Sequence, residues 1–119
     1  MKIDDKFGLK TINGEEGWAY SYNITGDVES RELRQFCDIL YHVAINNGRN
    51  GERPLHIYID VSKAKFLSFG NIIAFVDPLS LLSPHFDTNK KGSFKMKANE
   101  DVKKALKDAN LIEYIEMVE

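Results

Sequence analysis

Residues 60–70, DVSKAKFLSFG, carry an aspartate, two serines and two lysines just past a buried-strand pattern. Ser68 stands where a helix should begin, and Gly70 follows it by two. A serine there accepts a hydrogen bond from an early helix N–H, worth about 1 kcal/mol. The same hydroxyl is open to phosphorylation, because the first-turn N–H groups and the helix dipole can hold the added negative charge. Ser62 is a second hydroxyl in the same region, and its default role is that of a turn serine. Asp60, Ser62, Lys63, Leu67, Ser68, Phe69 and Gly70 together form the candidate partner-binding stretch.

Other chemistry can be written but is poorly supported. Ser68, His85 and Asp60 would make a hydrolase triad, yet no nucleophile-elbow glycine pattern surrounds the serine. His42, His56 and His85 fall on three different elements, and His56 sits in a strand pattern that suits a hydrogen-bonded sheet residue. Asp27 with Asp60 is a carboxylate pair, but such groups at element ends usually cap or stay solvated. There is no dinucleotide fingerprint and no phosphate-binding P-loop. Neither a cofactor nor a metal is expected. Cys37 is the only cysteine, which rules out an internal disulfide. Its helical neighbours place it on an inward face, as a small buried hydrophobe.

These residues need elements to position them. Phe7–Ile12 and Trp18–Ile24 alternate as two strands, with Phe7, Leu9 and Thr11 on one face of the first and Trp18, Tyr20 and Tyr22 on one face of the second. Asn13-Gly14 supplies the tight turn of a hairpin. Gly26-Asp27 breaks the pattern, and a helix runs from about Val28 or Arg31 to Asn46, with Asp27 and Ser30 both competent as its cap. Its apolar stripe is Leu33, Phe36, Cys37, Leu40 and Ala44. Gly48 suits the exit, and the polar loop 48–54 follows.

Leu55–Ile59 reads as an interior parallel strand covered on both faces, with a loop beginning at Asp60. A second helix starts near Phe69. Pro78 should break it near Asp77, leaving Leu79–Leu82 as a further turn and residues 83–92 as a long loop, with a pocket possible beneath it around Phe86. Ser93–Lys97 is a strand with one polar side. Asn99 caps a third helix whose stripe is Val102, Ala105, Leu106 and Ala109, and Leu111–Val118 closes the chain as a last strand. The order β-β-α-β-α-β-α-β implies an α/β fold with a mixed, mostly parallel sheet and helices packed on it.

This order, with LHIYIDVSKAKFLSFGNIIAF and NEDVKKALKDANLIEYIEMV as its carriers, resembles the STAS domain, the module shared by sulfate transporters and anti-sigma factor antagonists. The resemblance implies that residues 1–119 form a single STAS-like domain. It also implies a non-catalytic regulatory module that binds a protein partner, a kinase-type anti-sigma regulator being the family's example. In the family the serine of this turn is phosphorylated, and Ser68 matches it, with Gly70 matching the glycine. Leu67 replaces the family's usual aspartate and Phe69 a small or polar residue, so a kinase that reads the aspartate would read this site differently. The alternatives are a STAS-like domain used for assembly or small-ligand binding without phosphorylation, and, further off, a small hydrolase.

The bulk properties fit this reading. The chain has 119 residues, 43% hydrophobic and 29% charged, enough for one ordinary globular core. A net charge of −2 argues against nucleic-acid binding as the main role. No apolar run is long enough to span a membrane, and the first residues are too polar for a signal peptide. A cytoplasmic protein or an excised soluble domain is therefore expected.

Overall fold

The structure, a computed structural model, describes residues 1–12, 14–50, 54–88 and 92–118, with the backbone alone for 46–50 and 83–88. Its elements run β1 (Lys2–Ile12), β2 (Glu15–Val28), α1 (Ser30–Asn50), β3 (Leu55–Phe66), α2 (Phe69–Thr88), β4 (Ser93–Lys97), α3 (Glu100–Asp108) and β5 (Glu116–Met117). The five strands form one sheet in chain order. β1 and β2 are antiparallel, and every later pairing is parallel. This is the expected mixed, mostly parallel α/β architecture.

The hairpin closes where its turn chemistry directs. Ile12 pairs with Glu15, and Gly14 takes φ +80 in the turn, a conformation that side chains with a Cβ resist. The expected strand faces are observed. Phe7 lies opposite Tyr20 and Leu9 opposite Trp18, and the Phe7 ring stacks on Trp18 at a centroid distance of 5.0 Å. Tyr22 meets Phe36 of α1 edge-on at 5.0 Å, so this is the face that the helices cover.

Each parallel crossover leads to the next strand in the same direction. Right-handed connections then place all three helices on one side of the sheet. Burial agrees. Leu55, Ile57, Ile59 and Val61 of β3 are buried, while His56, Tyr58, Asp60 and Ser62 between them are only partly so. The expectation that β3 is covered on both faces is therefore corrected: it is interior and parallel, but one face is open. The alternation of apolar and polar residues is the signature of a half-buried strand.

The core gathers Ile24, Val28, Leu33, Phe36, Leu40, Ile57, Ile59, Phe75, Leu79, Met96 and Leu106, among others, between sheet and helices. The predicted α1 stripe is buried throughout. Cys37 is buried with it, and desolvation, helped by Asp38, pushes its thiol pKa up to about 12.

Several boundaries differ from expectation. β2 continues through Gly26, which adopts φ +82, as far as Val28. α1 starts at Ser30 with Leu33 N–H donating to the Glu29 carbonyl, so neither Asp27 nor Ser30 occupies the cap position. It runs past Gly48 to Asn50; residues 51–53 of the predicted loop lie outside those described.

The largest correction concerns α2, which is continuous through Pro78 to Thr88. Proline removes one backbone hydrogen bond, but Phe75, Val76, Leu79 and Leu82 on either side are all buried. Most of the predicted loop 83–92 is therefore helix, and residues 89–91 lie outside those described. At the C-terminal end only Glu116–Met117 pair as strand. Asn110 turns the chain at φ 58, and Leu111 and Ile115 bury themselves in a turn.

Candidate functional site

β3 delivers the chain to Ser68. It does not stop at Ile59 but extends to Phe66, so Asp60, Ser62 and Lys63 belong to the strand and not to a loop. The strand carries a bulge on the way. From Asn23 to Thr25, β2 advances two positions while β3 advances three, from Asp60 to Lys63. Asp60 holds the bulge: its Oδ1 accepts from the Ser62 N–H at 2.9 Å and from the Ser62 hydroxyl at 2.6 Å. The extra residue shifts the alternation so that Ala64 enters the core after Val61.

Leu67 and Ser68 then form the bend before α2. The Asn71 N–H donates to Ser68 Oγ at 3.2 Å and to the Ser68 carbonyl at 3.1 Å. Ser68 is thus the N-cap of α2, as its position predicted. Asn71 fixes the corner further: its side-chain amide donates to the Val28 carbonyl at 3.2 Å and accepts from Ser30 Oγ at 2.6 Å. The entry of α2 is thereby fastened to the end of β2 and the start of α1.

The corner is exposed. Leu67 is 58% and Phe69 68% accessible, and Ser68 and Gly70 are also exposed. A Cβ at Gly70 would meet nothing nearer than Ser68 Oγ at 3.6 Å, so this glycine leaves open surface and is not forced by packing. Beside the corner is a cavity of about 430 Å³ between the entry of α2 and α3. It is lined by Phe66, Ser68, Phe69 and Ile72 from one side and by Asp101, Lys104, Ala105 and Asp108 from the other.

The structure divides the predicted stretch in two. Leu67, Ser68, Phe69 and Gly70 stay together at the corner. Asp60 instead lines a different cavity of about 540 Å³ on the open side of the sheet, with Asp4, Lys6, Ser21, Asn23 and Tyr58 among its neighbours. Ser62 is tied to Asp60, and Lys63 is exposed on the strand. The α3 charges were missed. The sequence reading singles out only the cap and the apolar stripe of this helix, although Asp101, Lys104 and Asp108 share one face at i, i+3, i+7 spacing.

The alternative chemistries do not assemble. His85 lies 17 residues beyond Ser68 along α2, roughly 25 Å at the rise of a helix. That separates the two members of the triad. Asp60 pairs with Asn23 and Asp27 with Lys65, so four strand positions, roughly 13 Å, part the two carboxylates. Among the described residues no group of three or more His, Cys, Asp or Glu side chains is placed to hold a metal. His56 Nδ1 shares a 2.7 Å hydrogen bond with Ser93 Oγ on β4, the sheet role expected for it. Partial burial, and then Lys95, lower its pKa from the usual 6.5. Among the described residues no helix is long and apolar enough to cross a membrane.

No protein-family model and no curated protein matches the chain. Solved structures do. The Bacillus cell fate determinant SpoIIAA in its phosphorylated form superposes with a TM-score of 0.52 at 9% identity, covering 96% of this chain and 92% of its own. The protein TM1081 gives a TM-score of 0.48 at 19% identity, covering 96% and 81%. The anti-sigma factor antagonist SpoIIAA in its unphosphorylated form gives 0.46 at 11%, covering 96% and 89%. The first of these likenesses shows that the fold is STAS-like; at such identities the comparison speaks for fold alone.

Proposed function

We propose that this chain is a non-catalytic regulatory module that docks a protein partner on the Leu67–Gly70 corner, with Ser68 as a phosphorylation switch. One observation carries the reading: a serine hydroxyl at a helix entry, exposed between two exposed apolar side chains, beside a cavity with charged walls. Exposed Leu67 and Phe69 offer the apolar contact that a partner would desolvate. Lys104, with Asp101 and Asp108, offers polar contacts that would orient it. The STAS-like fold supports the reading by likeness of architecture. SpoIIAA, which shares that architecture, is described as an anti-sigma factor antagonist and in a phosphorylated form.

Phosphate on Ser68 would change the corner in a defined way. Its oxygens would keep accepting from the first turn of α2, so the helix entry would persist. The added negative charge would sit near Asp101 and Asp108, with Lys104 as the cation lining the cavity. A partner that matches the neutral corner would be repelled.

The test is capture from host extract with the wild-type chain, Phe69→Asp and Ser68→Glu. A host protein retained by the wild type and lost with both variants is the expected result. A host protein retained equally by all three places the partner surface elsewhere.

A further inference from the structure

We propose that the outer edge of β1 is a self-pairing surface, through which two copies of this chain join antiparallel about a two-fold axis at Phe7. The product is one continuous sheet with five strands from each copy.

β1 is an edge strand that lacks the backbone protections. Exposed edges are normally short, bulged, interrupted by proline, covered or blunted by charges, and of these β1 has only charges such as Lys2, Lys6, Lys10 and Asp5. β1 has 11 residues, contains no proline, and pairs with β2 from Lys2 to Ile12 without a register break. Among the described residues no other strand pairs with it. Its helix-side face carries Ile3, Phe7 and Leu9, with Asp5 between the first two, and no helix covers it there: Phe7 is 56%, Leu9 45% and Ile3 37% exposed. Phe7 stacks against Trp18 and Tyr20 of β2, so these side chains are held in place for a contact that the single chain does not make.

The charges on β1 identify the occupant as a second copy. A two-fold axis perpendicular to the sheet keeps each residue on its own face, so only like-faced residues can oppose. With Phe7 opposite Phe7 of the second copy, the whole strand pairs. Asp4 then lies opposite Lys10 of the second copy, and Lys10 opposite its Asp4. No like charges meet. Moving the axis one residue toward the N-terminus sets Lys6 against Lys6, and Lys2 against Lys10. Moving it one residue the other way sets Lys6 against Lys10. Moving it two residues toward the N-terminus sets Asp5 against Asp5. Like charges directly opposed are unfavourable and opposite charges favourable. Moving it two residues toward the C-terminus opposes no like charges but pairs only residues 6–12 and loses both Asp4–Lys10 pairs, so charge and pairing length together favour the register at Phe7. On the helix-side face, Phe7 and Leu9 of both copies become cross-strand and diagonal neighbours, continuous with Trp18 and Tyr20.

Light scattering on the chain eluting from a sizing column tests the pairing. The wild type is expected at twice the chain mass. Asp4→Lys or Lys10→Asp alone would turn both opposed pairs into like charges and raise the dimer Kd about tenfold at low ionic strength. The double variant Asp4→Lys/Lys10→Asp would restore it, which also shows that these changes do not unfold the chain. Phe7→Cys would cross-link under mild oxidation, since directly opposed Cα atoms lie within disulfide range; Cys37 is buried and would not compete. A wild type that stays monomeric to millimolar concentration overturns the proposal and leaves the edge to a strand of another protein. So does a dimer that ignores the charge reversals and in which Phe7→Cys does not cross-link.

Discussion

Ser68 Oγ caps a helix, and in the proposed function the same atom would carry the regulatory phosphate. As a hydroxyl it caps α2 through the Asn71 N–H, and as a phosphate it would still cap it. The helix entry does not depend on that choice, because Asn71 anchors it to Val28 and Ser30 by two further hydrogen bonds. The cap could be read from the sequence, since serine before an apolar helix is a local signal. The Asn71 anchor could not, because its partners lie 41 and 43 residues away. His56 carries a prediction at the same scale. Its pKa is depressed in the fold by burial and by Lys95, so the unfolded chain binds the proton more tightly. Its contribution to stability is present above pH 6.5 and is lost as pH falls through the depressed value. Thermal melts of wild type and His56→Asn between pH 5 and 8 should show the wild type losing more stability on acidification. Parallel losses in the two proteins would contradict that assignment.

At the scale of the elements, tertiary burial overrides local rules in two places. The proline rule failed in α2 because Phe75, Val76, Leu79 and Leu82 bury the helix on both sides of Pro78. β3 outran its expected end because the bulge at Asp60–Ser62 absorbs one residue and returns Ala64 to the core. A bulge held by one carboxylate leaves no trace in hydrophobic periodicity, so Asp60 looked like the start of a loop. The helix account makes a prediction. If Pro78 is merely tolerated, Pro78→Ala regains a backbone donor and a better helix residue. It should raise stability by about 1 kcal/mol, or roughly 4 °C in Tm, after the gain in unfolded-state entropy is subtracted. A loss of stability in a thermal melt would mean that the ring itself fills a needed place in the packing.

At the scale of the molecule, the chain has one thickly covered face and one open face. Strands laid down in order, with right-handed crossovers, put every helix on the same side. The two-period alternation in LHIYIDVS holds this information, but the strand reads at first as covered on both faces because Leu55–Ile59 is short and mostly apolar. The order of elements carried the fold class. The position of α3 beside the Ser68 corner was not legible, because it follows from which strand lies next to which. The layering leaves the corner at the helix-covered end of β3 open to a visitor, and the α3 charges stand beside it. The account as a whole rests on Ser68 being written in the cell. Peptide mapping by mass spectrometry on protein isolated from its native host tests this most directly. The expected result is a fraction of molecules carrying one phosphate on Ser68. Full coverage of residues 64–75 with Ser68 unmodified under every growth condition, or phosphate confined to other residues, would contradict it.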